Sequence, residues 1–225
     1  MSATADLPVL AVIGGTGKEG KGLAFRFLKA GYTVVLGSRS SEKAMAAAQA
    51  IREELPGGAP VRGASNLEAS QQATVVILTV PHAAHAEILE SIKPAMSGKL
   101  LIDATVPLQP GKPTKVLLPR AGSAAQEARQ ILGEASEVTA AFHTISHQHL
   151  LKDDPIACEV LVTGTSEAAR DEALKLVTAA GMRGWDAGPL ENSAVTEGLT
   201  SVLIYINKKY GSRNAGIRIT GLSQD

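Results

Sequence analysis

Residues 9–28 constrain this chain more than any other stretch. Val9-Leu10-Ala11-Val12-Ile13 is an apolar run that ends in Gly14-Gly15-Thr16-Gly17-Lys18-Glu19-Gly20, after which Leu23, Phe25, Phe27 and Leu28 supply the apolar face of a helix. A strand that feeds a glycine turn and then a helix is a cradle for phosphate, and Gly15, Gly17 and Gly20 fit the G-x-G-x-x-G spacing. In that pattern the first glycine turns the chain, the second lets backbone approach a pyrophosphate, and the third lets helix pack on strand. The unpaired N–H groups at the helix start supply the anion site. A second apolar run, residues 33–36, ends in Gly37-Ser38-Arg39-Ser40, with Lys43 one turn on. NAD-selective sites usually carry an Asp or Glu near this point. Here Ser38 offers a hydroxyl and Arg39 a fixed fork of donors suited to the extra phosphate of NADP. The competing reading makes Arg39 and Lys43 an ordinary solvated edge.

The remaining pattern predicts an α/β fold, a Rossmann-type parallel sheet with helices on both faces. Residues 74–80 form an unbroken apolar run, which implies a strand covered on both sides. Further strands are expected over 59–63, 99–104, 138–142, 156–163 and 185–189. Helices are expected over 41–55, 83–92, 123–132, 166–180 and 190–210, with Pro56-Gly57-Gly58 stopping the first and a short helix or turn at 66–72. Pro107, Pro110, Pro113 and Pro119 mark residues 105–122 as a loop over the sheet edge that can border a substrate. A division follows into a nucleotide-binding domain, residues 1–141, and a smaller C-terminal α/β domain, residues 142–225, which closes the substrate cleft. Residues 202–206 are more apolar than a one-faced surface helix requires, which burial against a second subunit or within the chain would explain. The tail, residues 215–222, is expected along the cleft.

Ligands of open α/β sheets gather beyond the carboxyl ends of the strands, so Val80, Pro81, His82 and His85 should lie near the dinucleotide. His82 and His85, three apart at a helix start, are expected to contact solvent or cap backbone rather than hold a metal. Asp103 is expected to cap or brace the loop after it. His143, His147 and His149 fall within seven residues at the end of a strand. They read as a cleft wall of the cofactor site, because a catalytic metal needs about three protein ligands and no Cys or acid adjoins them. Asn192, Ser193 and Glu197 are candidates for orienting groups in the cleft, or ordinary caps. Cys158 reads as a small packed residue.

Composition narrows the partners. The 22 basic and 22 acidic residues balance, so no long-range field draws the chain to nucleic acid or anionic membrane. No uncharged apolar run approaches the roughly 20 residues of a membrane helix. The lone Cys158 excludes an intrachain disulfide and fits a reducing cytoplasm, and residues 1–6 lack the basic and apolar regions of a signal peptide.

Together these motifs resemble the NADPH-dependent coenzyme F420 reductases, or F420:NADP oxidoreductases, over nearly the whole chain. The resemblance is carried by Gly14-Gly15-Thr16-Gly17 with Gly20-Lys21-Gly22, by Gly37-Ser38-Arg39, by His143-Thr144-Ile145, and by Asp186-Ala187-Gly188-Pro189-Leu190 with Asn192-Ser193. It implies hydride transfer between NADP(H) and the deazaflavin F420 in a cleft between two domains of a homodimer. It also implies that Thr16, Gly17, Lys18 and Glu19 line the pyrophosphate, that Ser38, Arg39 and Lys43 line the 2′-phosphate, and that Val80 and Pro81 line the nicotinamide. His143, Ile145 and Ser146 would stand where nicotinamide and deazaflavin meet, with His147 and Asn192 on the cofactor side. Two places depart from the family pattern: Ser146 and His147 follow Ile145 where members commonly show Pro, and Lys18-Glu19 replaces the commoner Asn with an apolar residue. The alternatives are an NADPH-dependent reductase of a flavin, a quinone or a small carbonyl compound, and a protein that binds NADP without turnover.

Overall fold

The structure, a computed structural model, describes residues 7–55, 59–152 and 154–222. The expectations placed on residues 1–6 and on Pro56-Gly57-Gly58 fall outside them. Along the chain run β1 (Leu10–Ile13), α1 (Lys18–Lys29), β2 (Val34–Ser38), α2 (Ser41–Glu54), β3 (Val61–Ser65), α3 (Asn66–Gln72), β4 (Val75–Leu78) and α4 (His82–Ile92). After these come β5 (Leu100–Asp103), α5 (Ala124–Leu132), β6 (Glu137–Ala140), α6 (His147–Leu150), β7 (Glu159–Gly164), α7 (Glu167–Ala179), β8 (Arg183–Pro189) and α8 (Ser193–Tyr210).

All eight strands join one sheet in the order β3-β2-β1-β4-β5-β6-β7-β8. The pairs from β3 to β6 are parallel. β7 meets β6 antiparallel, with Thr139 opposite Gly164, and β8 then runs parallel to β7. The C-terminal strands therefore extend the parallel sheet with reversed direction. β1, β4 and β5 are buried along their whole length, and alternate residues face opposite ways as the pleat requires. Leu10, Val12, Val34, Leu36, Val75 and Ile77 enter one core with Leu23 and Phe27 of α1. Ala11, Ile13, Val35, Val76 and Leu78 enter the other with Ile88 and Leu89 of α4 and Ala125 and Ala128 of α5. The unbroken apolar runs are thus consumed by two cores, one on each face.

Strand order reverses between β1, which leads outward to β2 and β3, and β4, which leads the other way. The chain diverges there and leaves a crevice beyond the carboxyl ends of β1 and β4. Helix caps mark the same place. α2, α3, α5 and α7 are each capped by a serine side chain: Ser40, Ser65, Ser123 and Ser166. α1 and α4 instead start at Gly17 and Pro81 without a side-chain cap, so their first N–H groups remain available at the crevice.

Candidate active site

The glycine turn is built by close approach. Gly14 takes φ +81°, where a Cβ would also stand 2.7 Å from the carbonyl oxygen of Thr79. The left-handed turn therefore falls on Gly14 rather than on Gly15, which the sequence pattern assigned to it. Gly15 is instead squeezed between β1 and β2, since its Cβ would meet Val12 O at 2.8 Å and Leu36 Cδ2 at 2.9 Å. Gly20 keeps its expected place: a Cβ there would meet Gly14 O at 2.7 Å and Gly15 Cα at 2.9 Å, so only glycine lets α1 rest on the turn. Thr79 locks the two strand ends together by donating its hydroxyl to Ile13 O at 3.0 Å.

Two hollows open from this turn. The smaller, about 310 Å³, is lined by Gly14, Thr16, Gly17, Ser38, Arg39, Ser40, Lys43, Asn66, Thr79, Val80, Pro81, Ala84 and Ile88. The larger, about 510 Å³, is lined by Gly17, Lys18, Glu19, Thr79, Val80, Pro81, Ala104, Val106, Leu108 and residues 143–147, with Thr200, Leu203, Ile204, Asn207, Arg213 and Ala215. Gly17, Thr79, Val80 and Pro81 belong to both. The glycine turn, the Arg39 edge and the His143–His147 wall therefore border one continuous cleft. Each hollow also holds a buried polar atom with no hydrogen-bond partner in the protein, Asn66 Oδ1 in the smaller and His143 Nε2 in the larger. A dinucleotide would fit this cradle: close glycine backbone, uncapped helix starts and residues with unpaired buried polar atoms all border the cleft.

The wall at 143–147 is aimed by the backbone. β6 stops at Ala140, and Phe142, fully buried, takes φ 69°, the one positive φ outside glycine among the described residues. Such a conformation is strained for a bulky residue and persists only where packing enforces it. It turns His143, Thr144 and Ile145 into the cleft. Thr200 of α8 donates its hydroxyl to His143 O at 2.9 Å. Burial pushes the His143 imidazole down to about 4, so the ring is neutral at neutral pH. Burial acts oppositely on the Glu19 carboxyl, at the phosphate turn, and pushes it up to about 8.

Several residues stand elsewhere than expected. Asn192 is exposed and lies outside both hollows, because its amide donates to Ala187 O at 2.7 Å and closes the turn before α8. His149 also lies outside; its carbonyl accepts from Arg26 of α1 at 2.8 Å, which docks α6 on α1. His85 neither meets solvent nor caps backbone. It is fully buried, with Nε2 2.7 Å from Asp103 Oδ2 and Nδ1 2.9 Å from Glu127 Oε2. Asp103 does brace its loop, accepting from Thr105 N at 2.9 Å. Glu197 is a buried strut whose two carboxyl oxygens accept from Ala124 N at 2.8 Å and Ala125 N at 3.1 Å, at the start of α5. The tail is fastened by Glu159, which accepts from Trp185 Nε1 and Ile219 N, each at 2.7 Å, and Ala215 reaches the larger hollow. Asn66, Thr200, Asn207 and Arg213 were missed by sequence reasoning. Each is brought to the cleft by tertiary packing, and no local motif announces it.

A family model described as NADP oxidoreductase, coenzyme F420-dependent, matches residues 9–107. The F420-dependent NADP reductase of Methanothermobacter marburgensis is 43% identical over 226 residues, spanning 96% of this chain and 99% of the relative. The chain belongs to the F420-dependent NADP reductase family. A second F420-dependent NADP reductase, from Methanothermobacter thermautotrophicus, is 42% identical over 223 residues and covers 96% of each chain. Among solved structures, one from Arthrobacter sp. FB24, provisionally assigned as an F420-dependent NADP reductase, superposes with a TM-score of 0.82. It is 21% identical and covers 96% of this chain and 100% of that chain, a likeness of fold. The match of the family model spans β1 to the loop after β5. It therefore includes the phosphate turn and the Arg39 edge of this reductase family, while the wall at 143–147 lies beyond it.

Proposed function

We propose that this chain transfers a hydride between NADP(H) and coenzyme F420, with the two rings stacked in the larger hollow. The carrying observation is the wall common to both hollows. A dinucleotide with its pyrophosphate on Thr16, Gly17, Lys18 and Glu19 and its 2′-phosphate on Ser38, Arg39 and Lys43 runs past Val80 and Pro81 toward His143, Ile145 and Ser146. Gly15 and Gly20 act one layer behind, by shaping the turn. NADPH supplies a hydride from C4, the deazaflavin accepts it at C5, and one proton from solvent completes the reduced ring. The chain's own work is positioning, with reacting atoms about 3 to 3.5 Å apart and water kept out.

His143 fits that work as a neutral, buried ring whose Nε2 is free for a heterocycle; at a value near 4 it is not an imidazolium at neutral pH. Thr200 holds the backbone that presents it. His147 and the exposed Arg213 border the same hollow and suit a polar, anionic acceptor. Residues 1–141 in this reading carry NADP and residues 142–225 close over the acceptor. The exposed apolar side chains Val195, Val202 and Tyr205 of α8 support a homodimer, which sedimentation velocity reads directly. No helix among the described residues is long and apolar enough to cross a membrane, and a cytoplasmic setting, where NADPH is made, belongs to the same proposal.

Ser146 and His147 at the acceptor wall favour one second reading, the same NADPH platform serving a flavin. Anaerobic assays with NADPH and either oxidised F420 or FMN decide between them. Loss of the deazaflavin band with matching NADPH consumption is expected. Turnover with FMN and none with F420 would transfer the assignment to another acceptor.

A further inference from the structure

His82 and His85 open α4, and Glu127 stands opposite them on α5. The two rings stack with centroids 5.7 Å apart and planes 28° from parallel. Both present a nitrogen to one oxygen, Glu127 Oε2: His85 Nδ1 at 2.9 Å and His82 Nε2 at 3.2 Å. His82 Nε2 is nevertheless buried without a hydrogen bond, since its approach to that oxygen is misdirected for one. Among the described residues this is the one group of His, Cys, Asp and Glu whose ligand atoms all lie within 4.8 Å of one another.

We propose that His82 Nε2, His85 Nδ1 and Glu127 Oε2 form a binding site for a divalent transition metal of the zinc type. Three observations carry this. Donors of a tetrahedral zinc, bound at about 2.0 to 2.2 Å, stand about 3.3 to 3.5 Å apart, so the two separations from Glu127 Oε2 need to open by only a few tenths of an ångström, and the two histidine nitrogens stand within 4.8 Å of each other. His85 is oriented from behind: its Nε2 meets the fully buried Asp103 at 2.7 Å, and Asp103 is itself fixed by Thr105 N. A carboxylate on the far nitrogen is the usual support of a metal-binding histidine, and the ion would displace the proton that Nδ1 shares with Glu127 Oε2. The charges also balance, because a dication between neutral imidazoles offsets the two carboxylates Asp103 and Glu127.

Imidazole with a carboxylate selects zinc and its neighbours over magnesium or calcium, which prefer all-oxygen sites. His82 and Glu127 are a quarter and nearly a third exposed, which gives the ion an entry path and leaves a fourth position for water. His82 directly follows Pro81, part of the wall common to both hollows. The ion would therefore clip α4 to α5 and stiffen that wall from behind without touching the hydride path.

The test is titration of the tag-free, chelator-stripped full chain with Co²⁺, followed by Zn²⁺. One equivalent of Co²⁺ per chain, giving visible bands of a four- or five-coordinate ion that Zn²⁺ displaces, is expected. His82→Ala and Glu127→Gln, both at partly exposed positions, should each weaken binding at least tenfold, while the pair His147→Ala and His149→Ala leaves it unchanged. Zn²⁺ should also raise the melting temperature of the parent chain and not of His82→Ala. Absence of saturable one-to-one binding, unchanged affinity in His82→Ala, or loss of binding in the His147 and His149 pair would each overturn the site.

Discussion

At the scale of the residue, the proposed function places cofactor selectivity on Arg39. Its exposed guanidinium stands with Ser38, Ser40 and Lys43 at the far end of the smaller hollow. A charge-assisted contact of this kind contributes about 1.5 to 3 kcal/mol. Arg39→Ala should therefore raise the KM for NADPH more than tenfold and leave that for NADH nearly unchanged; equal losses with both would remove the 2′-phosphate assignment. Glu19 makes a separate prediction through pH. An acid beside a pyrophosphate is tolerable only while it is neutral, and burial holds its value near 8. The KM for NADPH should be flat from pH 6 to about 7.5 and climb above about 8 as the carboxylate forms. Glu19→Gln should remove the climb, and a parent profile that stays flat through pH 9.5 would contradict the placement. His143, near 4, should add no limb to either profile between pH 6 and 8.

At the scale of the element, a buried acid of α8 caps the start of α5. Glu197 replaces the missing intrahelical partners of Ala124 N and Ala125 N, and Ser193 meets Ser123 at 2.6 Å beside it. Burial raises the Glu197 carboxyl from 4.5 to about 8, against the lowering pull of those two N–H groups. A value raised on folding sets the sign: the stability from neutral Glu197 is complete below about 4.5 and is lost as pH rises toward 8. The slope from this group alone approaches about 1.4 kcal/mol per pH unit within that window. Glu197→Gln should lose that slope while starting less stable, because its amide nitrogen faces a backbone donor. Denaturant midpoints of both proteins between pH 5 and 9 measure the difference, and parallel curves would show that Glu197 stays ionised throughout. None of this was legible locally. Ser193 and Glu197 read equally well as ordinary caps, since nothing near them in sequence reveals that α5 begins against their side chains.

At the scale of the whole molecule, what could be read in advance was whatever the chain encodes within about thirty consecutive residues. β1, the glycine turn, α1 and the Arg39 edge follow from apolar runs and glycine spacing, and the two cores confirm why those runs are unbroken. The exact turning residue shifted from Gly15 to Gly14 because two adjacent glycines satisfy the same pattern, and only packing against Thr79 and Leu36 separates their roles. What escaped was long-range: the burial of His85 between Asp103 and Glu127, the reach of Thr200 and Asn207 of α8 into the larger hollow, and the reversal of β7 and β8 in the common sheet. These depend on contacts between segments that no local periodicity links. The central claim, that NADPH and F420 meet ring to ring in one cleft, is tested most directly by an anaerobic single turnover with NADPH carrying deuterium at both C4 positions. Reduced F420 should gain one deuterium at C5, a carbon site, and retain it in ordinary water. Reduced F420 without the label, or no reduction of F420 at all, would contradict it.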